Sequence, residues 1–287
     1  MPFSIVINGF PKSSVPVLHI QGPALQGMFL HLLTEVDADT AERLHDDSRY
    51  RPYTLSPLGI HFSQPASSPS QEGRREFQGF RLPREQVLNA GTPCYLRLTL
   101  LEDRLFPIFS RYFLTRAQPT FYLGETEFTV TNVLATPENE NPWSQYLSYA
   151  QLIERARQRR ERRIKLHFIT PTTFRKGDVD LPLPLPRLVF QSFQKRFAEF
   201  SQVEFLPDFA ELVDQYTGIS SQKGVRTDTI AAKNTRLTGF VGEVGFEISH
   251  NAPADLLFQM HLLADYAFFC GAGRKTTVGM GQTRRMF

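Results

Sequence analysis

Leu256–Phe287 reads LLFQMHLLADYAFFC followed by GAGRKTTVGMGQTRRMF. Leu256, Met260, Leu263 and Ala267 recur at helical spacing, so this stretch predicts an amphipathic helix. Thr276–Arg285 then predicts a returning strand. Between them lie Gly271, Gly273, Gly279 and Gly281, with Arg274, Lys275 and Arg284 interspersed. Glycine admits positive φ and lets other groups approach bare amides. Successive amides in such a turn can form an anion-binding nest, to which Arg274 and Lys275 would add charge. The competing reading is a tight helix-to-strand connection whose glycines serve geometry alone.

Working back from this end, the second half of the chain supplies the rest of a unit. Ile164–Ile169 alternates as a strand. Val189, Phe193, Phe197 and Phe200 fall on one helical face. Thr227–Ile248 has room for two strands with Gly239 near the turn. The first half runs in the same order. Phe3–Asn8 predicts a strand, and Leu25, Met28, Phe29, Leu32, Leu33 and Val36 mark a helix. Tyr53–Phe62 and Tyr95–Leu101 follow as strands, Phe106, Phe109, Phe113 and Leu114 as a helix, and Glu127–Ala135 as a closing strand. Strand, helix, two strands, helix, strand is the ferredoxin-like βαββαβ unit. Its repetition predicts an α+β protein of two such domains in tandem, at 1–136 and 163–287. The connection at 137–162 is a basic linker with a helix from about Trp143. Gln64–Glu76 is polar and rich in Ser and Pro, and predicts an insertion loop.

The 287 residues carry 41% hydrophobic side chains and 25 Phe, ample for packed cores, and a formal charge of only +3. Charge is informative only locally: RARQRRERRIK, from Arg155 to Lys165, sets seven cations against Glu161. Such a run is a solvated helix face or a strip that follows a nucleic-acid backbone. Cys94 and Cys270 are too few for a disulfide framework or a Cys-x-x-Cys metal site, and fit a reducing compartment. No leader pattern and no apolar run near the ~20 residues of a membrane span is found. The expectation is a cytoplasmic protein without a membrane partner.

Among seven histidines none shows the HExxH spacing, and no P-loop, GxSxG or carboxylate-rich magnesium motif occurs. No metal or cofactor is expected. His261 lies within the last apolar helix and His167 within an alternating strand, both as packing or surface residues, and His61 ends a strand beside the insertion loop. His45 differs: it closes a helical segment, with Arg49, Tyr50, Arg51 and Tyr53 within eight residues. Imidazole moves protons near neutral pH, and arginine stabilises charge developing on phosphate oxygens. An exposed helix-terminal histidine with no chemistry is the alternative.

The stretch GAGRKTTVGMGQTR behind an apolar helix closely resembles the signature of the CRISPR-associated repeat-cleaving endoribonucleases, of the repeat-associated RNA-binding superfamily. Leu44-His45-Asp46 with RPYTLSPL resembles their catalytic-histidine segment. LHFITPTTF, from Leu166 to Phe174, resembles the opening strand of their second unit, and TGFVG, from Thr238 to Gly242, the hairpin before the last helix. The resemblance implies tandem ferredoxin-like folds and a metal-independent cut within repeats of a CRISPR precursor RNA, yielding guide RNAs. There the ribose 2′-OH attacks the adjacent phosphate and leaves 2′,3′-cyclic phosphate and 5′-OH ends.

Carried over by position, His45 is the proton-transfer residue. The family often pairs this histidine with lysine and tyrosine. No lysine is nearby here, so Arg51 is the candidate cation, as a clamp and not an acid, and Tyr50 or His31 the second side chain. The implied RNA contacts are Gly271, Gly273, Arg274, Lys275, Gly279, Gly281 and Arg284 in the tail. Arg155, Arg159 and Arg163 belong to the basic strip, and Lys223, Arg226, Lys233 and Arg236 to the second unit, where a purely solvated surface accounts for the cations equally well. Precursor and processed RNA are the implied partners, with other CRISPR-associated subunits possible and monomer or homodimer left open. Two rivals stand beside this reading: a non-catalytic repeat-RNA-binding subunit, and a metabolic protein whose glycine loop holds a small phosphorylated ligand.

Overall fold

The computed structural model describes residues 1–46, 50–60, 86–137, 141–201 and 203–286. His61, Arg49 and the Gln64–Glu76 stretch lie outside them. The first unit comprises β1 (Phe3–Pro11), α1 (Pro23–Thr34), α2 (Ala38–Asp46), β2 (Tyr53–Leu55), β3 (Cys94–Leu100), α3 (Leu105–Leu114), β4 (Thr120–Leu123) and β5 (Thr126–Leu134). Its antiparallel sheet runs β2-β3-β1-β5-β4. The predicted strand–helix–strand–strand–helix–strand order is all present, and β4 adds a hairpin partner on the β5 edge. Proline in the first turn starts α1, and Leu25, Met28, Phe29, Leu32 and Leu33 form its buried face. Phe29 meets the Tyr53 ring at 4.3 Å and Phe109 of α3 at 6.2 Å, so one aromatic ties both helices to β2.

A capping box between Ser148 and Gln151 starts α4 (Tyr149–Arg157). The predicted linker helix is therefore shorter than expected, and Trp143 precedes it. The second unit follows as β6 (Arg163–Thr172), α5 (Pro186–Phe200), α6 (Phe209–Tyr216), β7 (Thr217–Ala232), β8 (Thr235–Ile248), α7 (Ala254–Cys270) and β9 (Thr283–Met286). Its sheet order is β7-β8-β6-β9. In the first sheet β1 lies between β3 and β5, and in the second β6 lies between β8 and β9, the ferredoxin-like arrangement once the added edge strand β4 is set aside. A small hairpin, Phe174–Lys176 with Val179–Leu181, leaves the end of β6.

Three expectations need correction. The β7–β8 hairpin begins at Thr217 and turns at Lys233–Asn234, not near Gly239. Gly239 lies in β8, where the backbone of Pro171 and Thr172 occupies the place of a side chain. The last strand starts only at Thr283, because Thr276–Val278 coils into a 3-10 turn. Finally, α7 is not amphipathic: buried residues run from Leu256 to Cys270 around nearly its whole surface. It is enclosed by its own sheet, α4, α5 and the first unit, so no face remains for water.

The units meet over a broad front. Val6, Tyr95 and Leu101 of the first join the core containing Phe193, Phe246 and Leu263 of the second. Trp143 stacks on Phe268 at 5.5 Å. At its far end the long hairpin returns to the first unit, where the Lys233 amide donates to the Leu18 carbonyl at 3.0 Å.

Candidate functional site

The glycine-rich tail is a rigid, internally bonded turn. The amides of Gly271, Ala272 and Arg274 donate to the carbonyls of Ala267, Gly281 and Thr173, and that of Gly281 to Pro171. The Gly273 amide donates to Ser192 Oγ at 3.1 Å. The amides of residues 271–274 thus already have acceptors within the protein. Gly271, Gly279 and Gly281 are buried. A Cβ on Gly281 would collide with the Ala272 carbonyl, and one on Gly273 with that of Thr173. These glycines serve close packing. What the turn turns outward is Lys275, exposed and held at φ 57.

Arg274 ion-pairs with Asp180 of the small hairpin, which Arg175 also approaches at 3.4 Å. Burial raises the Asp180 pKa, but the two arginines outweigh it and hold the carboxyl below its usual range. Arg196, which nothing in the sequence singled out, is the clasp of the turn. From α5 it donates to the carbonyls of Cys270, Gly271 and Gly273 at 3.0, 3.1 and 2.7 Å. It satisfies the open carbonyl end of α7 in place of water. Conserving charge while joining three carbonyls suits the fixed fork of a guanidinium.

The turn rests on the first unit. A Cβ on Gly279 would lie 3.3 Å from Pro57 Cγ and 3.4 Å from Leu25 of α1. Chain segment 50–57 therefore links the turn to His45. The His45 side chain is exposed at the end of α2. Its carbonyl accepts from Arg51 Nη2 at 3.3 Å, while Arg51 Nη1 donates to the Tyr53 hydroxyl at 3.3 Å. Arg51 thus caps the carbonyl end of α2 and braces the start of β2. Tyr50, next to it, is half-buried. His31 stands on the outer face of α1, its Nε2 4.0 Å from Glu35. Among the described residues no hydrogen bond or ion pair joins it to the turn.

The basic strip is partly neutralised, contrary to its sequence. Arg159 lies 3.8 Å from both Glu161 and Asp265, and Arg163 3.5 Å from Glu247. Arg155 is exposed on α4. Together with Arg284 and Arg285, Arg155 and Arg159 line a cleft of about 350 Å³ that also contains Asp265 and Phe268. Arg285 donates to Asp265 at 3.1 Å and to His261 Nδ1 at 2.9 Å. His261 Nε2 reaches the Glu161 carbonyl at 2.7 Å. This pattern assigns a neutral ring, protonated on Nε2. Burial first, and the Arg285 cation second, hold its pKa below the ordinary histidine value. Lys233 and Arg236 are exposed at the tip of the long hairpin.

The fold of two ferredoxin-like units in tandem is that of solved Cas6 structures. A Cas6 product complex is 24% identical with a TM-score of 0.79, covering 100% of this chain and 99% of that one. Thermus thermophilus Cas6 is 25% identical with a TM-score of 0.67, covering 100% and 98%. Family models match both halves: the CRISPR Cas6 N-terminal domain over residues 1–154, and CRISPR-associated endoribonuclease Cas6 over 166–283. The chain belongs to the Cas6 family of CRISPR-associated proteins. It is also 25% identical to the CRISPR-associated endoribonuclease Cas6 of Streptococcus thermophilus over 116 residues, which span 40% of this chain and 46% of that protein. No helix among the described residues is long and apolar enough to cross a membrane.

Proposed function

We propose that this protein is an endoribonuclease that cuts CRISPR precursor RNA within its repeats to give guide RNAs. The cut needs no metal: the 2′-OH attacks the neighbouring phosphate and leaves 2′,3′-cyclic phosphate and 5′-OH ends. Family membership supports the class of activity. The observation that carries the chemistry is an exposed imidazole, His45, at the end of α2, whose carbonyl is bonded by Arg51 of the segment that reaches the glycine-rich turn at Pro57.

In this reading His45 moves a proton to or from the reacting oxygens, and Arg51 stabilises the charged phosphate while fixing the end of α2. Tyr50 fits the second side chain better than His31, whose ring faces Glu35. Lys275, Arg274 and Arg284 grip the RNA backbone, with Gly271, Gly273, Gly279 and Gly281 shaping the turn. Arg155, Arg159, Arg163, Lys233 and Arg236 extend the cationic track. Phosphate contacts of this kind position the strand and make affinity salt-dependent. Residues 1–136 form the catalytic domain, 137–162 the linker and 163–287 the RNA-gripping domain of a cytoplasmic protein.

The test incubates the protein with repeat RNA in EDTA and maps both new termini. A 2′-deoxyribose at the cut nucleotide should block the reaction, since DNA lacks the nucleophile. His45→Ala should lower the rate by about 10²–10⁴-fold with RNA affinity retained. Wild-type protein that binds repeat RNA but never cuts it would transfer the case to a non-catalytic RNA-binding subunit.

A further inference from the structure

Arg97, in the middle of β3, is among the largest fully buried side chains of the described residues, 1% exposed. Nε donates to Ser4 Oγ at 2.8 Å, Nη2 to the Phe268 carbonyl at 2.5 Å, and Nη1 to Gln282 Oε1. The guanidinium also lies over the rings of Phe268 and Trp143, 4.2 and 4.8 Å from their centroids. No carboxylate pairs with it among the described residues. Burial pulls its pKa down to about 9, which still leaves it cationic at neutral pH.

A buried cation without an acid is a costly way to fill a core, and an apolar residue of similar volume is often at least as stable. Stability alone therefore does not account for Arg97. Its donors do something an apolar residue cannot: they fix β1, the end of α7 and the tail in one mutual orientation. Gln282 carries that restraint onward. Its side-chain amide donates to the Leu55 carbonyl at 3.1 Å, and its own amide to Thr170 Oγ1 at 2.9 Å. The backbone of Arg97 meets the same place from the other side. Its amide donates to Ser56 Oγ, and the Ser56 amide donates to its carbonyl, both at 2.8 Å. Pro57, the next residue, packs beside Gly279 of the turn, as Leu25 of α1 does. Arg97 thus holds both partners of the contact between the glycine-rich turn and the segment leading back to His45.

We propose that Arg97 and Gln282 are positioning residues for RNA cleavage, setting the glycine-rich turn and the His45 segment in register across the two units. This inference rests on the function proposed above, so its test includes a readout free of catalysis.

Two variants separate positioning from stability. Gln282→Glu keeps an acceptor for Arg97, now charged, but loses the donor to Leu55. Arg97→Lys keeps the charge and loses the fork. In single-turnover assays with repeat RNA, each should cut about 10–100-fold more slowly, the scale of a sub-ångström to 1 Å misplacement. RNA affinity should stay near the wild-type value, and Gln282→Glu should melt no lower than wild type. Hydrogen exchange at the Ser56, Met280 and Gly281 amides should be faster in Gln282→Glu, whether or not the protein cuts RNA. Unchanged exchange there, or wild-type cleavage by both variants, overturns the proposal. So does a rate loss that vanishes once the assay temperature is lowered by the fall in Tm, which would make the pair structural only. A wild type that fails to cut any repeat RNA sinks the proposed function, while the exchange data still decide the relay.

Discussion

Gly271→Ala tests whether the glycine-rich turn is as rigid as its bonding implies. Gly271 closes α7 at φ 63, ψ 179, a region open essentially to glycine, where another residue costs about 1–3 kcal/mol. A methyl group there would also lie 2.9 Å from the Gly281 carbonyl oxygen and 3.3 Å from Thr276 Cγ2. An ordinary non-bonded contact is about 3.5 Å, so one limb of the turn must give by about 0.6 Å. That movement strains the Arg196 contacts to the Cys270, Gly271 and Gly273 carbonyls. Backbone strain and weakened hydrogen bonds together come to about 2–4 kcal/mol. At roughly 2–4 °C per kcal/mol for chains of this order, Tm should fall by several degrees. Gly177→Ala is the control: its φ of 59 is also positive, but a Cβ there meets nothing within 4 Å. Denaturant unfolding gives the stability difference, and single-turnover RNA cleavage well below Tm gives the functional one. A Gly271→Ala protein no less stable than Gly177→Ala, cutting at the wild-type rate, would refute the account of a clamped turn.

Further outcomes follow from the buried titratable groups. His261 is held neutral in the folded protein by burial and by Arg285, whereas in the unfolded chain it takes a proton near pH 6.5. Below that pH the unfolded state binds more protons, so stability should decline from about pH 6.5 downward until the lower folded pKa is passed. Denaturant midpoints should therefore be lower at pH 5 than at pH 7.5. His261→Gln should flatten that slope in part, leaving the share of His167, which burial shifts in the same direction. An identical slope in the variant would contradict the assignment. Burial pushes the thiols of Cys94 and Cys270 up to about 12. Iodoacetamide at pH 8 should leave both untouched in the native protein and modify both after unfolding; stoichiometric labelling of the folded state would contradict their burial.

The tandem units were legible because their cores repeat one pattern twice, as in the apolar faces of α1 around Phe29 and of α5 around Phe193. The full hairpin was not. From Gly218 to Gly224 the strand is exposed on both faces, so neither alternation nor apolarity marks it, and Gly239 looked like a turn although it answers a close backbone approach. The hydrophobic pattern of α7 was detected but its all-round burial was missed, since periodicity does not show what lies on the polar-looking side. In the candidate site, the glycines and cations of the tail stood out by composition. Arg196 and Arg97 gave no signal, and Gln282 none beyond its place in the tail motif. Arg97 is a single charged residue in an apolar run, which has no period, and its partner Gln282 lies 185 positions away.

The return of the β7–β8 hairpin to Leu18 makes it a girder supported at both ends. Its two bulges, between Ile219 and Ser221 and between Lys223 and Arg226, twist it along its length, but neither leaves a free end to swing. A strand of RNA laid along its outward side would meet a backbone already immobilised by folding, so docking would forfeit little further chain freedom.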